Sequence, residues 1–172
     1  MTVTLSQKDY WDLVTQPQLK EVVEPFETVF PFPPELGHGL CHYIDLRDGI
    51  ELSIEDYWLH DNIAVHLPER PHPIEYGFQI AGENKQPEKL APGRYGLCGS
   101  GTASAEPWER LASNPFLEVA VHIDPSLLQE FLGESCDLSA AGLAHLIRPA
   151  EQRYYTNYRS TTNAMQVVLH QM

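Results

Sequence analysis

The sequence predicts a mainly β domain with helices at its C-terminal end, an α+β fold, from three observations. Apolar and polar residues alternate over short runs between Leu40 and Ile123. Pro and Gly, 14 and 11 in number, fall between those runs, where strands turn. Beyond Asp124 the apolar spacing changes to that of amphipathic helices. A length of 172 residues suits one domain with short additions, and a hydrophobic content of 42% is enough to bury a core.

Each element has a local cause. Ser6 caps a short helix through Val14, with Tyr10, Leu13 and Val14 on one side. Residues 24–34 hold four prolines and cannot sustain a helix, so they read as an extended arm lying along the body as an edge strand. From Leu40 the period is two, with Leu40, His42, Ile44 and Leu46 opposite Cys41, Tyr43 and Asp45. Asp48-Gly49 then makes a tight hairpin, after which Ile50, Leu52 and Ile54 resume the alternation. Residues 62–67, 74–80 and 117–123 are further strands, and the stretch 92–101 is turn-rich. Asp124-Pro125 opens a helix that ends at Gly133. A second helix is expected over residues 139–147, ended by Pro149. A third begins near Thr162, with Met165, Val168, Leu169 and Met172 in one apolar stripe.

Composition excludes several functions. The formal charge of −13 repels a phosphate backbone, so this chain by itself should not grip DNA. No run approaches the roughly 18 apolar residues of a membrane span, and the N-terminus has no signal-like segment, so a cytoplasmic protein without a membrane partner is expected. Cys41, Cys98 and Cys136 are an odd number without a CxxC pair, which indicates neither a disulfide framework nor a thiolate zinc site.

The motif search points away from catalysis. Gly96 to Gly101 lacks the lysine and the spacing of a phosphate loop, and neither Ser100 nor Ser104 sits in a GxSxG elbow. His38 and His42 flank Cys41 without a carboxylate at ligand spacing, and no HxH pair occurs, so no metal and no cofactor is expected. The alternative, a small cupin-type metal-dependent enzyme, would rely on His60 and His66 on neighbouring strands. More informative is the end of the strand that begins at Ile50. Its inward set, Ile50, Leu52 and Ile54, continues as Asp56, Trp58 and His60, while the apolar positions jump to Tyr57 and Leu59. Either a bulge re-phases the strand, or a polar and aromatic set faces the barrel interior. In the second case Trp58 stacks on a planar ligand, Asp56 and His60 hydrogen-bond it, and Tyr76 and Phe78 complete the wall.

Three segments carry a resemblance: ELGHGLCHYIDLRDGIELSIEDYWLHDNI, HPIEYGFQIAGE and TTNAMQVVLHQM. Together they resemble the N-terminal part of AraC/XylS-type transcription regulators, in the branch of siderophore-responsive, pyochelin-type members. The resemblance implies a cupin-like β-barrel or jelly roll that senses a small-molecule effector, helices that form a homodimer, and a helix-turn-helix domain beyond them that reads DNA. On that pattern the chain divides into an N-terminal helix and arm (1–34), a sensor barrel (35–124) and a helical dimerisation segment (125–172) cut before the DNA-binding domain. A ferric siderophore is the effector the resemblance suggests, and the protein is expected not to be an enzyme. The apolar stripe broken off at Met172 and the acidic charge agree with a sensor separated from a basic partner domain.

Overall fold

The computed structural model describes residues 1–16, 20–84, 91–133, 138–139 and 142–171. An eight-stranded sheet carries the fold. Its order is β14 (Thr156–Ser160), β10 (Arg94–Cys98), β8 (Ile74–Ala81), β13 (Phe116–Ile123), β5 (Ile50–Leu59), β4 (Gly37–Arg47), β3 (Glu27–Pro31) and β2 (Glu21–Glu24). All neighbours run antiparallel. A four-stranded sheet packs over one face, in the order β1 (Thr2–Ser6), β6 (Asn62–Leu67), β12 (Glu106–Leu111) and β9 (Glu83–Asn84), with β1 parallel to β6. A third, small sheet joins β11 (Gly101–Ala103) to β7 (Arg70–His72). The strands are therefore not closed into a single barrel, since the large sheet ends at β14 and β2.

Helix α1 (Gln7–Val14) starts where Ser6 Oγ accepts the amide of Asp9, and it buries Tyr10 and Val14, one turn apart. Helix α2 (Pro125–Leu132) is capped by Asp124 and stopped by Gly133 at φ 77°. Helix α3 (Asn163–Leu169) is capped by Thr162. These agree with the sequence reading, although Met172 lies outside the described residues. The helix expected over 139–147 does not form. Ala140 and Ala141 lie outside the described residues, and the rest is a set of turns in which the amides of Leu143 and Ala144 both reach Leu138 O. Gly142, at φ +71°, takes a conformation that an α-helix cannot contain.

The hairpin of β4 and β5 turns at Asp48-Gly49 and is in register from Ile44↔Leu52 to Gly37↔Leu59. The two strands touch at Gly39, where an added Cβ would lie 2.2 Å from Asp56 O. The proline-rich arm is not an edge. Its residues Glu27–Pro31 form β3, hydrogen-bonded to β4 on one side and β2 on the other. The turn-rich stretch 92–101 likewise contributes β10 and the start of β11, held by β8, β14 and β7.

A packed core fills one end of the space between the two larger sheets and α1. Tyr57, fully buried, stacks on Phe32 at 4.0 Å between ring centroids and on Phe116 at 5.2 Å. Around them pack Tyr10, Leu36, Cys41, Leu59, Ile63 and Val65.

Candidate functional site

The other end of that space is hollow. A cavity of about 500 Å³ lies between the inner face of the large sheet, the four-stranded sheet and α1. Its floor follows from strand register, because residues directly opposite on neighbouring strands point to the same face. One row crosses six strands as Tyr43, Ser53, Ala120, Gly77, Gly96 and Tyr158, small in the middle and tyrosine at both ends. A second row, two residues along, reads Glu51, His122, Glu75 and Cys98. A third, on the opposite side, reads Glu55, Glu118 and Gln79. The floor is thus a trough of small residues between two charged rows, each about 7 Å away.

Glu55 and Glu118 stand side by side, an arrangement that would repel without a cation between them. Arg110 on β12 supplies it from the facing sheet, donating to Glu55 Oε2 at 2.6 Å, to Glu118 Oε2 at 2.8 Å and to the Tyr57 hydroxyl. Its guanidinium lies between the rings of Trp108 and Phe116, 3.8 and 3.5 Å from their centroids. Arg110 is only 3% exposed, so this cluster joins the cavity to the core. Burial still raises Glu118 to about 7 against the pull of Arg110, with Glu55 and Glu75 adding to the rise.

His122 organises the other row. It lies 3.6 Å from Glu51 Oε1 through Nδ1 and 3.7 Å from Glu75 Oε2 through Nε2, distances of ion pairs rather than hydrogen bonds. Burial works against its charge, but the two carboxylates outweigh burial and lift it to about 10, so it is an imidazolium at neutral pH. In return His122 holds Glu51 low, and it holds Glu75 low although burial pushes Glu75 the other way. His72 is also 3.6 Å from Glu75 Oε2, and its Nδ1 lies 2.7 Å from Pro73 O, so Nδ1 carries the proton. Tyr43, whose hydroxyl is pushed up by burial, lines the cavity, and among the described residues that hydroxyl has no hydrogen-bond partner. A second hollow of about 810 Å³ adjoins this one, with Glu51, His72 and His122 lining both.

The five residues singled out in the sequence lie on the other face. Asp56, Trp58 and His60 are exposed on the outer side of the β4–β5 hairpin, with Trp58 opposite His38 and His60 beside it at 6.2 Å between rings. Tyr76 and Phe78 share that outer face two strands away, in contact with each other and with Tyr95. Tyr76 also meets Met165 of α3 at 3.9 Å. The inward set of β5 is instead Glu51, Ser53, Glu55, Tyr57 and Leu59, with no bulge against β13 from Ile50 to Tyr57 or against β4 from Leu52 to Leu59. The jump of apolar positions to Tyr57 and Leu59 has a different cause from either one expected. It marks where one strand passes from the cavity into the core. His66 lies exposed on β6, in the sheet opposite His60, so the two are not on neighbouring strands. Among the described residues no group of three or more His, Cys, Asp and Glu is placed to hold a metal.

Sequence reasoning missed Glu51, Glu55, Glu75, Arg110, Glu118 and His122. A signal was present: the polar parity of three strands reads Glu51, Ser53, Glu55, then Glu75, Gly77, Gln79, then Glu118, Ala120, His122, with a small residue in the middle of each where a solvated face would carry a longer side chain.

The family model described as the regulatory protein PchR N-terminal domain matches residues 36–172. No curated protein and no solved structure gives a significant match. Among the described residues no helix is long and apolar enough to cross a membrane. The match spans most of the chain, which belongs to this family of regulatory domains.

Proposed function

We propose that this PchR-type regulatory domain senses a small-molecule effector held in the cavity between the two larger sheets, and so controls DNA binding by an AraC-type helix-turn-helix domain of the same regulator. The observation that carries the reading is the cavity itself, about 500 Å³ of space walled by paired charges and aromatic rings. In this reading the facing sheets are an opened form of the cupin-like sensor barrel implied by the family resemblance. A ferric siderophore is the effector class suggested by the pyochelin branch, and the protein works in the cytoplasm, where its DNA lies.

The geometry supplies a route for the signal. Gln7, Tyr10 and Trp11 of α1 line the cavity, and Tyr10 is also part of the packed core. A ligand that contacts α1 better in one seating than in another shifts the population between them. On the far side, Val167 and Val168 of α3 are 59% and 58% exposed, a surface through which two copies would pair. The effector contacts the inner rows, not Asp56, Trp58, His60, Tyr76 and Phe78.

A thermal-shift screen of the chain against small molecules, ferric pyochelin among them, tests this reading. A ligand at a hundred times its Kd stabilises by about 2.7 kcal/mol, a rise of several degrees in Tm. Ala120→Leu, which fills the floor, should abolish that rise. An equal response in Ala120→Leu would place the ligand elsewhere and refute the reading.

A further inference from the structure

Two carboxylates meet a single guanidinium where the cavity gives way to the core. Glu55 and Glu118 stand directly opposite each other on β5 and β13. Arg110 offers one nitrogen to each, at 2.6 and 2.8 Å, and the nitrogen on Glu55 also serves the Tyr57 hydroxyl. The other charges that bear on Glu118 do not balance the pair. Glu75 of β8 is a third carboxylate, and His122 of the same strand is a cation already facing Glu51 and Glu75. Farther along the wall stand Tyr10 of α1, Tyr43 of β4, Arg70 and His72 of β7, and Glu106 and Glu109 of β12, the last two with partners of their own. Two carboxylates side by side with one cation, largely out of water, hold between them a place for one proton.

The guanidinium is held by hydrogen bonds from that side alone. Its Nε is buried and has no hydrogen-bond partner among the described residues. The rings of Trp108 and Phe116 lie against it at 3.8 and 3.5 Å. Trp108 in turn meets Tyr10 of α1 edge to face at 5.4 Å, and Tyr10 meets Trp11 at the same distance. Both helix residues line the cavity. A proton on Glu118 turns one of the two charge-assisted bonds into a neutral one, roughly half as strong. The guanidinium then moves towards Glu55 and Tyr57, and in close packing the ring beside it follows.

We propose that Glu55 and Glu118 together take up and release one proton, and that Arg110 and Trp108 pass the change to α1, so that the helix wall of the cavity is seated differently in the two states. With the proton absent, both carboxylates are charged and share the guanidinium. With the proton present, Glu118 is neutral and Glu55 keeps the cation. Burial, with Glu55 and Glu75 adding to its effect, sets Glu118 at about 7, so both states are populated near neutral pH. The inference goes beyond the effector reading and does not depend on it, because it names the parts by which a change of charge at the floor reaches α1.

Amide and indole N–H resonances of the isotope-labelled native chain, followed by NMR from about pH 5 to about pH 9, test the switch. The Trp108 indole and the amides around Tyr10 should move through one step with its midpoint near 7. Glu118→Gln, which fixes the pair with a single charge, should remove that step from both. Should that variant fail to fold, Glu55→Gln should displace the step to lower pH by relieving the repulsion. Trp108→Leu should keep the titration of Glu118, read from its carboxyl carbon, while the α1 amides no longer respond. A step that persists unchanged in Glu118→Gln or in Glu55→Gln, or no step at all, would overturn the shared proton. Amides of α1 that stay fixed while Trp108 moves, or that still move in Trp108→Leu, would overturn the relay. The effector reading fails separately, by a lack of ligand-induced stabilisation with the step still present.

Discussion

Along β5 the same side of one strand meets two different interiors. Glu51, Ser53 and Glu55 look into the cavity, whereas Tyr57 and Leu59 are packed between Phe32, Phe116 and the four-stranded sheet. At the first end the buried groups are charged and matched pairwise by Arg110 and His122; at the second they are apolar and stacked. The difference separates two tasks. The core end supplies stability by excluding water, and the cavity end gives up that gain to keep space and charge available.

The comparison can be broken most severely at the core end. Tyr57→Ala removes a fully buried ring stacked on two others and should cost about 3–5 kcal/mol in a denaturant titration. A loss below about 1 kcal/mol would mean that the stacked core does not carry the fold. At the boundary, Arg110→Met leaves Glu55 and Glu118 facing each other without their cation and should cost about 3 kcal/mol near pH 8. Adding Glu118→Gln to Arg110→Met should restore much of that loss; no recovery would show that the arginine acts by packing alone.

Within the cavity the expected effect depends on pH. His122 has its folded value at about 10, above the ordinary 6.5, so its contribution to stability is complete below about 6.5 and lost as pH rises toward 10. Glu118, raised to about 7 from an ordinary 4.5 by burial, makes the fold gain stability as pH falls from about 7 to 4.5. Thermal midpoints of the native chain should therefore decline from pH 6 to pH 9, and His122→Gln should flatten the upper part of that decline. Equal slopes in the two proteins would remove His122 from the account. The smallest effect belongs to the outer face, where Trp58, 48% exposed, can be replaced by alanine within about 0.5 kcal/mol and without change in cavity binding.

What the sequence shows of this architecture is what local chemistry dictates. The Asp48-Gly49 hairpin, the caps at Ser6 and Asp124, the helix start near Thr162, and the strands at 62–67, 74–80 and 117–123 all appear in the structure near the expected bounds. Strands β7, β12 and β14 are three to six residues long and gain their form from partners distant in sequence, so no alternation reveals them, while β1 alternates over only five residues. The direction of the faces runs against the apolar parity for a physical reason. Apolar parity is taken to point inward, but here Leu52, Ile54, Val119 and Val121 lie on the outer face of the large sheet, while its inner face is half cavity. Polarity along a strand told the two faces apart but not which one enclosed the hollow.

The parallel pairing of β1 with β6 and the seating of α1 against the core tie the N-terminal segment to the rest of the fold. The family match begins at residue 36, yet Phe32 covers the ring of Tyr57, and Tyr10 and Trp11 close one wall of the cavity. The residues ahead of the matched segment are thus part of the unit that folds together. A graft that exchanges only the first 35 residues would replace part of the cavity wall while keeping its charged floor, with Arg110 and His122 untouched.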